Sequence, residues 1–277
     1  SSYQKILRFF IGDIRDLPRL ELAFKKADYI IHAAAMKQVP ACEYNPFEAV
    51  KTNIIGTNNI VSASNNSNVK KVIAMSTDKA AAPINLYGAT KLASDKLIVA
   101  ANNFSEVKFS VVRYGNVFGS RGSVVPQLLE QRKKGVVYLT DKKMTRFSIT
   151  LEQGARFVLK CLLKMKGSEI YVPKIPSYKL TDLAKALAPK CKIKYIGIRA
   201  GEKIHEEMIT VSDTPNTIEY KNYYIILPQV MSSKAYNHYL TKHENYNPKF
   251  CKKGFSYNSY NNNYLNKKQI IKFLENS

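Results

Sequence analysis

Residues 71–91, KVIAMSTDKAAAPINLYGATK, join an apolar strand to a helix through a short polar turn, and this unit decides the fold. The run from Lys71 to Met75 predicts a strand, and the stretch from about Tyr87 to Asn102 predicts a helix. Similar strands and helices alternate on both sides of this unit. That alternation is typical of parallel strands joined by crossover helices, so the sequence predicts an α/β fold.

The segments before this unit continue the same pattern. Ile6 to Ile11 predicts a strand, and so does Asp28 to Ala35, whose continuous apolar character suits a strand buried on both faces. Between that strand and residue 71 a helix is predicted from Pro46 to about Ala63. Asn45 precedes it as a potential N-cap, and proline is favoured at the first helical position.

After the predicted strand from Phe109 to Tyr114, shorter elements mix with loops. The pattern predicts a helix over Thr150–Lys164, a strand over Glu169–Val172 and a helix over Leu180–Leu187. From about residue 229 the chain is rich in Asn, Lys and Tyr, and we expect an irregular tail on the surface. We therefore predict one domain over residues 1–118 and a smaller α/β region over residues 119–277 that is partly interleaved with it.

The start of the chain lacks one expected feature. A dinucleotide-binding domain normally opens with a strand, a glycine-rich turn and a helix that holds the pyrophosphate. Nothing before Ile6 supplies that unit. The expectation is a Rossmann-like, doubly wound parallel sheet that is truncated at its N-terminus.

Charge and composition limit the partners. Lys and Arg number 43 against 21 Asp and Glu, giving a formal net charge of +22, which favours anionic partners. Nucleic acid, a diphosphate ligand and compositional drift all remain open. No nucleic-acid recognition motif is present, so we rank drift together with a phosphate ligand above nucleic acid.

The sequence gives little indication of a membrane protein or of a metal-binding site. The apolar runs are shorter than the roughly 20 residues that a membrane helix requires, and no secretory signal precedes them. The four cysteines lie far apart and have no metal-ligand spacing. We expect a soluble cytoplasmic protein with reduced thiols, no membrane association and no metal.

Two pairs of residues in the opening segment carry the chemistry. Tyr87 and Lys91 lie four residues apart and so share a helical face, where a cation favours the phenolate and lowers the tyrosine pKa. In isolation, this spacing is also typical of an ordinary amphipathic helix. Asp78 and Lys79 follow the strand end at Ser76-Thr77 and could supply the acid and the base that eliminate water, although a solvated loop would look the same.

Neighbouring segments make the chemical interpretation more specific. The chain resembles the UDP-N-acetylglucosamine 4,6-dehydratases that invert carbon 5, a branch of the extended short-chain dehydrogenase/reductase superfamily. The resemblance is carried by His32–Lys37, Glu43–Pro46, Lys51–Asn53, Ser76–Lys79, Asn85–Lys96, Arg113–Val117, Gly119–Pro126, Met144–Phe147 and Ile198–Lys203. It covers nearly the whole chain. Tyr87 favours the branch that begins pseudaminic acid synthesis for glycosylation of surface proteins such as flagellin.

The resemblance implies roles for individual residues. The catalytic set would be Thr77, Asp78, Lys79, Tyr87 and Lys91. NADP would be bound by Asp13, Ile14, Ala33, Ala34, Lys37, Ser76, Tyr87, Lys91 and Tyr114. UDP-N-acetylglucosamine would be bound by Lys37, Asn116, Val117, Arg146, Arg199 and Glu202. The resemblance also implies a homo-oligomer, either a hexamer or a dimer, for the full-length protein.

The implied reaction makes demands on two pKa values. Tyr87 would take the proton of the C4 hydroxyl, and Lys79 would take the C5 proton as a neutral amine, with its pKa lowered by burial near other cations. Asp78 would protonate the departing C6 hydroxyl, giving UDP-2-acetamido-2,6-dideoxy-β-L-arabino-hex-4-ulose. The alternatives are a UDP-sugar 4-epimerase, which has no use for Asp78 beside Lys79, and an inactive fragment or binding module.

Overall fold

The computed structural model describes residues 6–120, 122–229, 237, 239–241 and 246–275. The first half of the chain alternates helices and strands around the opening segment of the sequence analysis. Its elements are α1 (Leu17–Phe24), β1 (Tyr29–His32), α2 (Val39–Tyr44), α3 (Pro46–Val50), a π-helical stretch (Lys51–Ile55), α4 (Gly56–Asn65), β2 (Lys71–Thr77), a 3₁₀ turn (Asp78–Ala80), α5 (Leu86–Ala101) and β3 (Lys108–Tyr114).

The second half has shorter strands. Its elements are β4 (Asn116–Val117), α6 (Val124–Arg132), β5 (Val136–Leu139), β6 (Thr145–Ile149), α7 (Leu151–Lys164), β7 (Ile170–Pro173), β8 (Ser177–Lys179), α8 (Leu180–Leu187), β9 (Lys192–Tyr195), β10 (Glu207–Ile209), a 3₁₀ turn (Thr214–Asn216), β11 (Thr217–Glu219), β12 (Tyr223–Ile226), β13 (Lys249–Phe250), β14 (Tyr257–Asn258) and α9 (Lys267–Glu275).

One seven-stranded sheet forms the centre of the protein. Its strand order is β1-β2-β3-β7-β12-β11-β13; β1, β2, β3 and β7 are parallel, and the remaining strands are antiparallel. The middle strands β2 and β3 are largely apolar at their centres, as expected of strands covered on both faces, and Val72, Ile73, Val111 and Val112 are fully buried. The predicted α/β fold with a Rossmann-like parallel sheet is confirmed.

The register of the parallel strands brings their carboxyl ends to one edge. Thr77, the last residue of β2, pairs with Tyr114, the last residue of β3. His32 at the end of β1 pairs with Ala74. In open α/β sheets ligands bind at this edge, so the loops that follow β1, β2 and β3 are where a site is expected.

Two local predictions are wrong. Residues Ile6 to Ile11 form no strand, because β1 is the edge strand of the sheet and no described strand pairs with this segment. Asn45 occupies the N-cap position of α3, but its side chain gives the helix no cap hydrogen bond. The Asn45 amide instead donates to Ala41 O at 3.2 Å, back into α2.

Buried apolar side chains form two clusters. The larger one surrounds the central sheet and extends from Phe24 to Tyr257, so it draws on both sides of residue 118. The smaller one packs α6, α8, α9 and β5 around Leu128, Leu183 and Ile270. The division into residues 1–118 and 119–277 stays a prediction.

The tail is more ordered than the composition predicts. In its described part, β14 and α9 are regular elements, and Tyr257, Leu265 and Ile270 are buried. Asn262 Nδ2 donates to Ile175 O and Ser177 Oγ, both at 2.8 Å, so the polar side chains hold the segment in place. Residues 230–236, 238, 242–245, 276 and 277 of the predicted tail lie outside the described residues.

No helix among the described residues is long and apolar enough to cross a membrane.

Candidate active site

The turn after β2 places three of the predicted catalytic residues side by side. Thr77 caps the 3₁₀ turn, because its Oγ1 accepts from Lys79 N at 3.3 Å. The same hydroxyl donates to Asp78 Oδ1 at 3.0 Å. Lys79 Nζ also donates to Asp78 Oδ1, at 3.1 Å. The polar turn that the sequence left open as a solvated loop is therefore a folded, interconnected group.

The start of α5 brings Tyr87 to this turn. Asn85 is a working N-cap, since its Oδ1 accepts from Gly88 N at 2.8 Å. At Gly88 a Cβ would collide with the Lys79 carbonyl oxygen, so glycine is needed for the close approach of helix and turn. The Thr77 side chain is close enough to the Tyr87 phenol to lower its pKa in this arrangement.

Asp78 is a fully buried carboxyl with one unpartnered oxygen. Oδ1 accepts from Thr77 and Lys79, whereas Oδ2 has no hydrogen-bond partner among the described residues. Burial raises the pKa of Asp78, the Lys79 ammonium opposes this, and the negative charge of Glu206 adds to the rise. A raised pKa favours the protonated form of this carboxyl, which is the form that can donate a proton.

Lys79 does not behave as the sequence predicts. Its Nζ lies 3.1 Å from Asp78 Oδ1 and 3.5 Å from Glu206 Oε1. Burial lowers the pKa of Lys79, but these two carboxylates outweigh burial and the nearby Arg146, and the net pKa is raised. The expected depression of the Lys79 pKa by neighbouring cations is wrong, because acidic neighbours dominate.

The predicted lowering of the Tyr87 pKa depends on Lys91 together with a positive nicotinamide ring, and the protein's own groups do not produce it. Burial raises the pKa of Tyr87 to about 12, and the cation that lowers it within the protein is Lys79 rather than Lys91. The protein's own groups therefore keep this phenol protonated at neutral pH. Formation of a phenolate requires further positive charge at the site.

Lys91 lies below the turn, inside the protein. It is 3% exposed, and its Nζ donates to Met75 O at 2.8 Å. Burial lowers the pKa of Lys91, against the attraction of Asp95. Ser76 points the same way: its Oγ donates to Asp95 Oδ2 at 2.8 Å. The hydroxyl that reaches the Asp78 cluster is thus that of Thr77 and not that of Ser76.

Glu206 is a site residue that sequence reasoning missed. It lies just before β10, is 2% exposed, and its Oε1 is 3.5 Å from Lys79 Nζ and 3.6 Å from Arg146 Nε. Its Oε2 has no hydrogen-bond partner in the described part of the chain. The charged stretch that contains it reads as a solvated surface, so no local pattern marks Glu206 as buried.

Residues 199–206 are fastened to the loop that follows β2. Asn85 Nδ2 donates to Gly201 O at 2.8 Å, and Lys203 Nζ donates to Ala81 O at 2.8 Å. Glu202 N donates to Arg199 O at 3.1 Å, so both predicted substrate residues lie in one turn. Arg199 is exposed, whereas the Glu202 side chain is half-buried with Oε2 unpartnered among the described residues.

Arg146 joins the catalytic group directly. On β6 its Nη1 donates to Thr145 O at 2.7 Å and to Ile204 O at 3.1 Å. These bonds hold the guanidinium beside Glu206 with 11% of the side chain exposed. The predicted substrate residue and the predicted catalytic turn therefore belong to one charged cluster, consisting of Asp78, Lys79, Arg146 and Glu206.

The loop after β1 carries Ala33, Ala34 and Lys37, and all three are exposed at the carboxyl edge of the sheet. Asn53 fixes this loop: its Oδ1 accepts from Met36 N at 2.8 Å, and its Nδ2 donates to Met36 O at 2.9 Å. Asn53 lies in the π-helical stretch, a distortion that is frequent at functional sites. Asn53 belongs to the segment Lys51–Asn53 of the family resemblance, but nothing in the sequence indicates its contact with the loop after β1.

Asn116 and Val117 form β4, immediately after the end of β3. Gly115 precedes them, and a Cβ there would collide with Phe147 and lie 3.2 Å from Asp78 Oδ2. Tyr114 is buried, and burial raises its pKa. Asn116 Oδ1 is another buried oxygen that lacks a partner among the described residues.

Asp13 and Ile14 lie apart from the charged cluster. Asp13 is exposed and bonded to Arg15, with Oδ2 and Nη2 2.8 Å apart. The guanidinium beside it lowers the pKa of Asp13. Ile14 O accepts from Asn59 Nδ2 at 3.0 Å, which places this segment against α4.

An open depression of about 760 Å³ lies at the opposite edge of the sheet. It is lined by residues at the amino ends of the strands, including Asp28, Lys70 and Val107, and contains none of the predicted site residues. No group of three or more His, Cys, Asp or Glu side chains among the described residues could hold a metal ion. The chemistry is therefore concentrated at the carboxyl edge.

Comparison with known sequences gives consistent matches. Residues 1–228 match the family described as polysaccharide biosynthesis protein. The chain is 50% identical to a UDP-N-acetylglucosamine 4,6-dehydratase (inverting) from Campylobacter jejuni, over 98% of this chain and 83% of that protein. It is 41% identical to a UDP-glucose 4-epimerase from Rickettsia akari, over 79% of this chain and 67% of that protein.

Solved structures share the fold. Pen from Bacillus thuringiensis matches with a TM-score of 0.86 and 37% identity, over 100% of this chain and 87% of that chain. A dTDP-glucose 4,6-dehydratase from Streptomyces venezuelae, solved with NAD bound, matches with a TM-score of 0.64 and 20% identity, over 70% and 68% of the two chains. At that identity the likeness shows the fold alone.

Proposed function

Because this chain belongs to the polysaccharide biosynthesis protein family, we propose that it is an enzyme that removes water from UDP-N-acetylglucosamine and inverts carbon 5. The single observation that carries the proposal is the Asp78–Lys79 pair, with its nitrogen and oxygen 3.1 Å apart, in a buried turn whose side chains also act on the pKa of Tyr87. The Campylobacter relative with that name supports the choice of substrate and of stereochemistry.

The nucleotide sugar would bind across the carboxyl edge. Arg146 and Arg199 would contact the diphosphate, for which a guanidinium provides paired donors. The oxygens of Asn116 and Glu202 that have no hydrogen-bond partner among the described residues would accept from hydroxyl or amide groups of the ligand. Lys37 and Val117 would complete the substrate site on either side of the sugar.

Lys91 and the small residues at the end of β1 fit a nicotinamide cofactor, which we propose to be NADP. An ammonium has three donors. Among the described residues Lys91 Nζ donates a hydrogen bond to Met75 O, so donors remain for ribose hydroxyls. Ala33 and Ala34 leave room at the strand end, and Asp13, Ile14, Ser76 and Tyr114 would border the rest of the cofactor. These residues would hold the cofactor, which would supply the hydride acceptor for C4 and the hydride donor for C6.

The chain's own residues would handle the protons. Once the positively charged cofactor is bound, Tyr87 would lose its own proton to solvent, and its phenolate Oη would then take the C4 hydroxyl proton while Thr77 Oγ1 orients that oxygen. The resulting ketone acidifies the C5 proton. Lys79 Nζ would remove this proton, and Asp78 would protonate the C6 oxygen as the C6–O bond breaks and water leaves. A proton would then return to C5 on the opposite face.

The proton shared by Asp78 and Lys79 must move before elimination can occur. In the ground state Lys79 carries the proton, since its pKa is raised by two carboxylates. Elimination needs the proton on Asp78 and a neutral Lys79. Moving one proton from Nζ to Oδ1 along their 3.1 Å hydrogen bond gives that arrangement without changing the net charge of the pair.

The competing function is a UDP-sugar 4-epimerase, which the Rickettsia relative supports by name. Epimerisation would use Tyr87 and Lys91 and would leave Asp78 and Lys79 idle. The deciding experiment incubates the protein with UDP-N-acetylglucosamine and NADP+ and follows the products by mass spectrometry and NMR. A product lighter by one water supports the dehydratase, whereas a product of unchanged mass with an inverted C4 would refute it.

Lys79→Ala sharpens the test. We expect this variant to bind NADP+ as the wild type does, because Lys91 and the β1 loop are untouched, and to lose water elimination by about 10³-fold. Retained elimination would show that Lys79 is not the base. Fluorescence titration of NADP+ separates lost chemistry from lost binding.

A further inference from the structure

Glu206 is the second acidic partner of Lys79 and has no part in the steps above. Its Oε1 lies 3.5 Å from Lys79 Nζ and 3.6 Å from Arg146 Nε. The residue is 2% exposed, and Ser259 Oγ accepts from its backbone N–H at 2.9 Å, which fixes the backbone at this point. A carboxylate this deep requires a compensating reason to persist.

We propose that Glu206 is a positioning residue that holds Lys79 opposite Asp78 and sets the pH range in which the Asp78–Lys79 pair carries a single proton. The inference rests on the proposed dehydratase function, because elimination requires one proton on this pair. It extends that function by assigning the control of the proton to a residue that does not transfer it.

The charges around Lys79 come from several elements. Asp78 faces it from the same turn, Glu206 from the segment before β10, and Arg146 from β6. Two neutral phenols complete the surroundings, Tyr87 from α5 and Tyr178 from β8, each interacting electrostatically with Lys79. Outside the Asp78–Lys79 pair, the Glu206 carboxylate therefore opposes the Arg146 guanidinium, and Lys203 faces Glu206 from the same segment.

The negative charge of Glu206 has a defined effect on the Asp78–Lys79 pair. The pair can hold two protons, one proton or none, and a nearby carboxylate favours the more protonated form at each step. Glu206 therefore moves both limits of the single-proton range to higher pH. Removing its charge should move the whole bell-shaped profile to lower pH.

The test compares Glu206→Gln, which removes the charge, with Glu206→Asp, which keeps it. We expect the pH profile of kcat/KM for water elimination to shift downward by about 1 pH unit in Glu206→Gln. Glu206→Asp should keep the wild-type profile with a lower maximum, because its shorter side chain holds Lys79 less well. If both variants lose activity equally with no shift of the profile, the role is structural and the proposal is wrong.

Glu207→Gln is the matched control. Glu207 is the next residue, half-buried, and its charged neighbours are Lys203 and Asp213 instead of Lys79. The same charge removed one position along the chain should leave the profile in place. A shift of similar size in Glu207→Gln would show that any local carboxylate acts this way and would overturn the specific role of Glu206.

A second measurement does not depend on turnover. Limited acetylation with acetic anhydride, quantified at Lys79 by mass spectrometry across pH, reports where this amine loses its proton; 24% of the side chain is exposed and can react. We expect the midpoint to fall in Glu206→Gln and to stay in Glu206→Asp and Glu207→Gln. An unchanged midpoint in Glu206→Gln refutes the inference, with or without dehydratase activity. Absence of a dehydrated product from the wild type would refute only the proposed function.

Discussion

Two buried carboxylates in this protein, Glu169 and Asp78, are treated in opposite ways. Glu169, next to β7, is fully buried and accepts hydrogen bonds at both oxygens. The donors are Lys166 N, Gly167 N, Ser110 Oγ, Tyr171 OH and Tyr239 OH, at 2.5 to 3.3 Å. Asp78 is equally buried, yet its Oδ2 has no partner among the described residues.

This difference distinguishes a carboxylate with a structural role from one with a chemical role. A buried carboxylate with every lone pair occupied locks the elements that surround it, and exchanging protons there would cost stability. A buried carboxylate with an open oxygen and a raised pKa is costly to keep and useful to a substrate. Glu206 shares the unpartnered oxygen, at Oε2 among the described residues, but differs in its pKa, which Lys79, Arg146 and Lys203 lower against the effect of burial.

The largest expected effect comes from Asp78→Asn. Removing the acid should lower kcat for water elimination by about 10³-fold. The free energy of unfolding should change by less than about 1 kcal/mol, since an amide nitrogen in the place of Oδ2 would meet no donor. Steady-state kinetics and urea denaturation on the same preparation provide both values. A variant that unfolds easily and keeps its turnover per folded molecule would reverse the assignment of Asp78.

Glu169→Gln should lower stability and leave catalysis unchanged, the reverse of Asp78→Asn. One amide nitrogen must face N–H or O–H donors on either side, so we expect the free energy of unfolding to fall by about 3 kcal/mol, with unchanged kcat per folded molecule. Urea denaturation at pH 7.5 measures the loss. Glu152→Gln is the control, because that carboxylate is exposed beside Arg156 and should contribute under about 1 kcal/mol. Equal losses in the two variants would remove the contrast between satisfied and surface carboxylates.

Local sequence patterns predicted the parts of this protein that local physics controls. The unit from Lys71 to Lys91 was predicted as strand, turn and helix, and the structure contains all three. Alternation of such units then specified a parallel sheet, and with it the edge where Thr77, Asp78, Lys79 and Tyr87 meet. These four residues are near one another in the chain, which brings them together in the fold, whereas their catalytic roles rest on the family resemblance and stay a prediction.

Features that depend on distant partners were missed or wrong. Ile6 to Ile11 has the composition of a strand, but a strand also needs a neighbour to pair with. The Lys79 pKa was expected to fall because Glu206, which raises it, lies far along the chain. Asn45 has a favourable cap sequence, yet Ala41 O competes for its side chain. In each case a tertiary contact decided the outcome.

His32 provides the smallest expected effect and extends the comparison to a buried basic side chain. It is a buried histidine at the end of β1, with Nε2 3.1 Å from Thr57 Oγ1, and burial together with Lys91 lowers its pKa to about 4. Its neutral form is the one the fold accommodates. Like Glu169, it should therefore resist a change of protonation state.

The pH dependence follows from the direction of that shift. Below about pH 6.5 the unfolded chain binds a proton at His32 that the folded protein does not bind until about pH 4, so stability is lost as pH falls through this window. Between pH 7.5 and pH 5 this group should account for about 2 kcal/mol. His32→Gln keeps a hydrogen-bonding side chain that does not titrate, and other groups titrate alike in both proteins. Urea denaturation of both proteins at the two pH values isolates the His32 contribution. Equal losses of stability in the two proteins would show that His32 has the same pKa in the folded protein as in the unfolded chain.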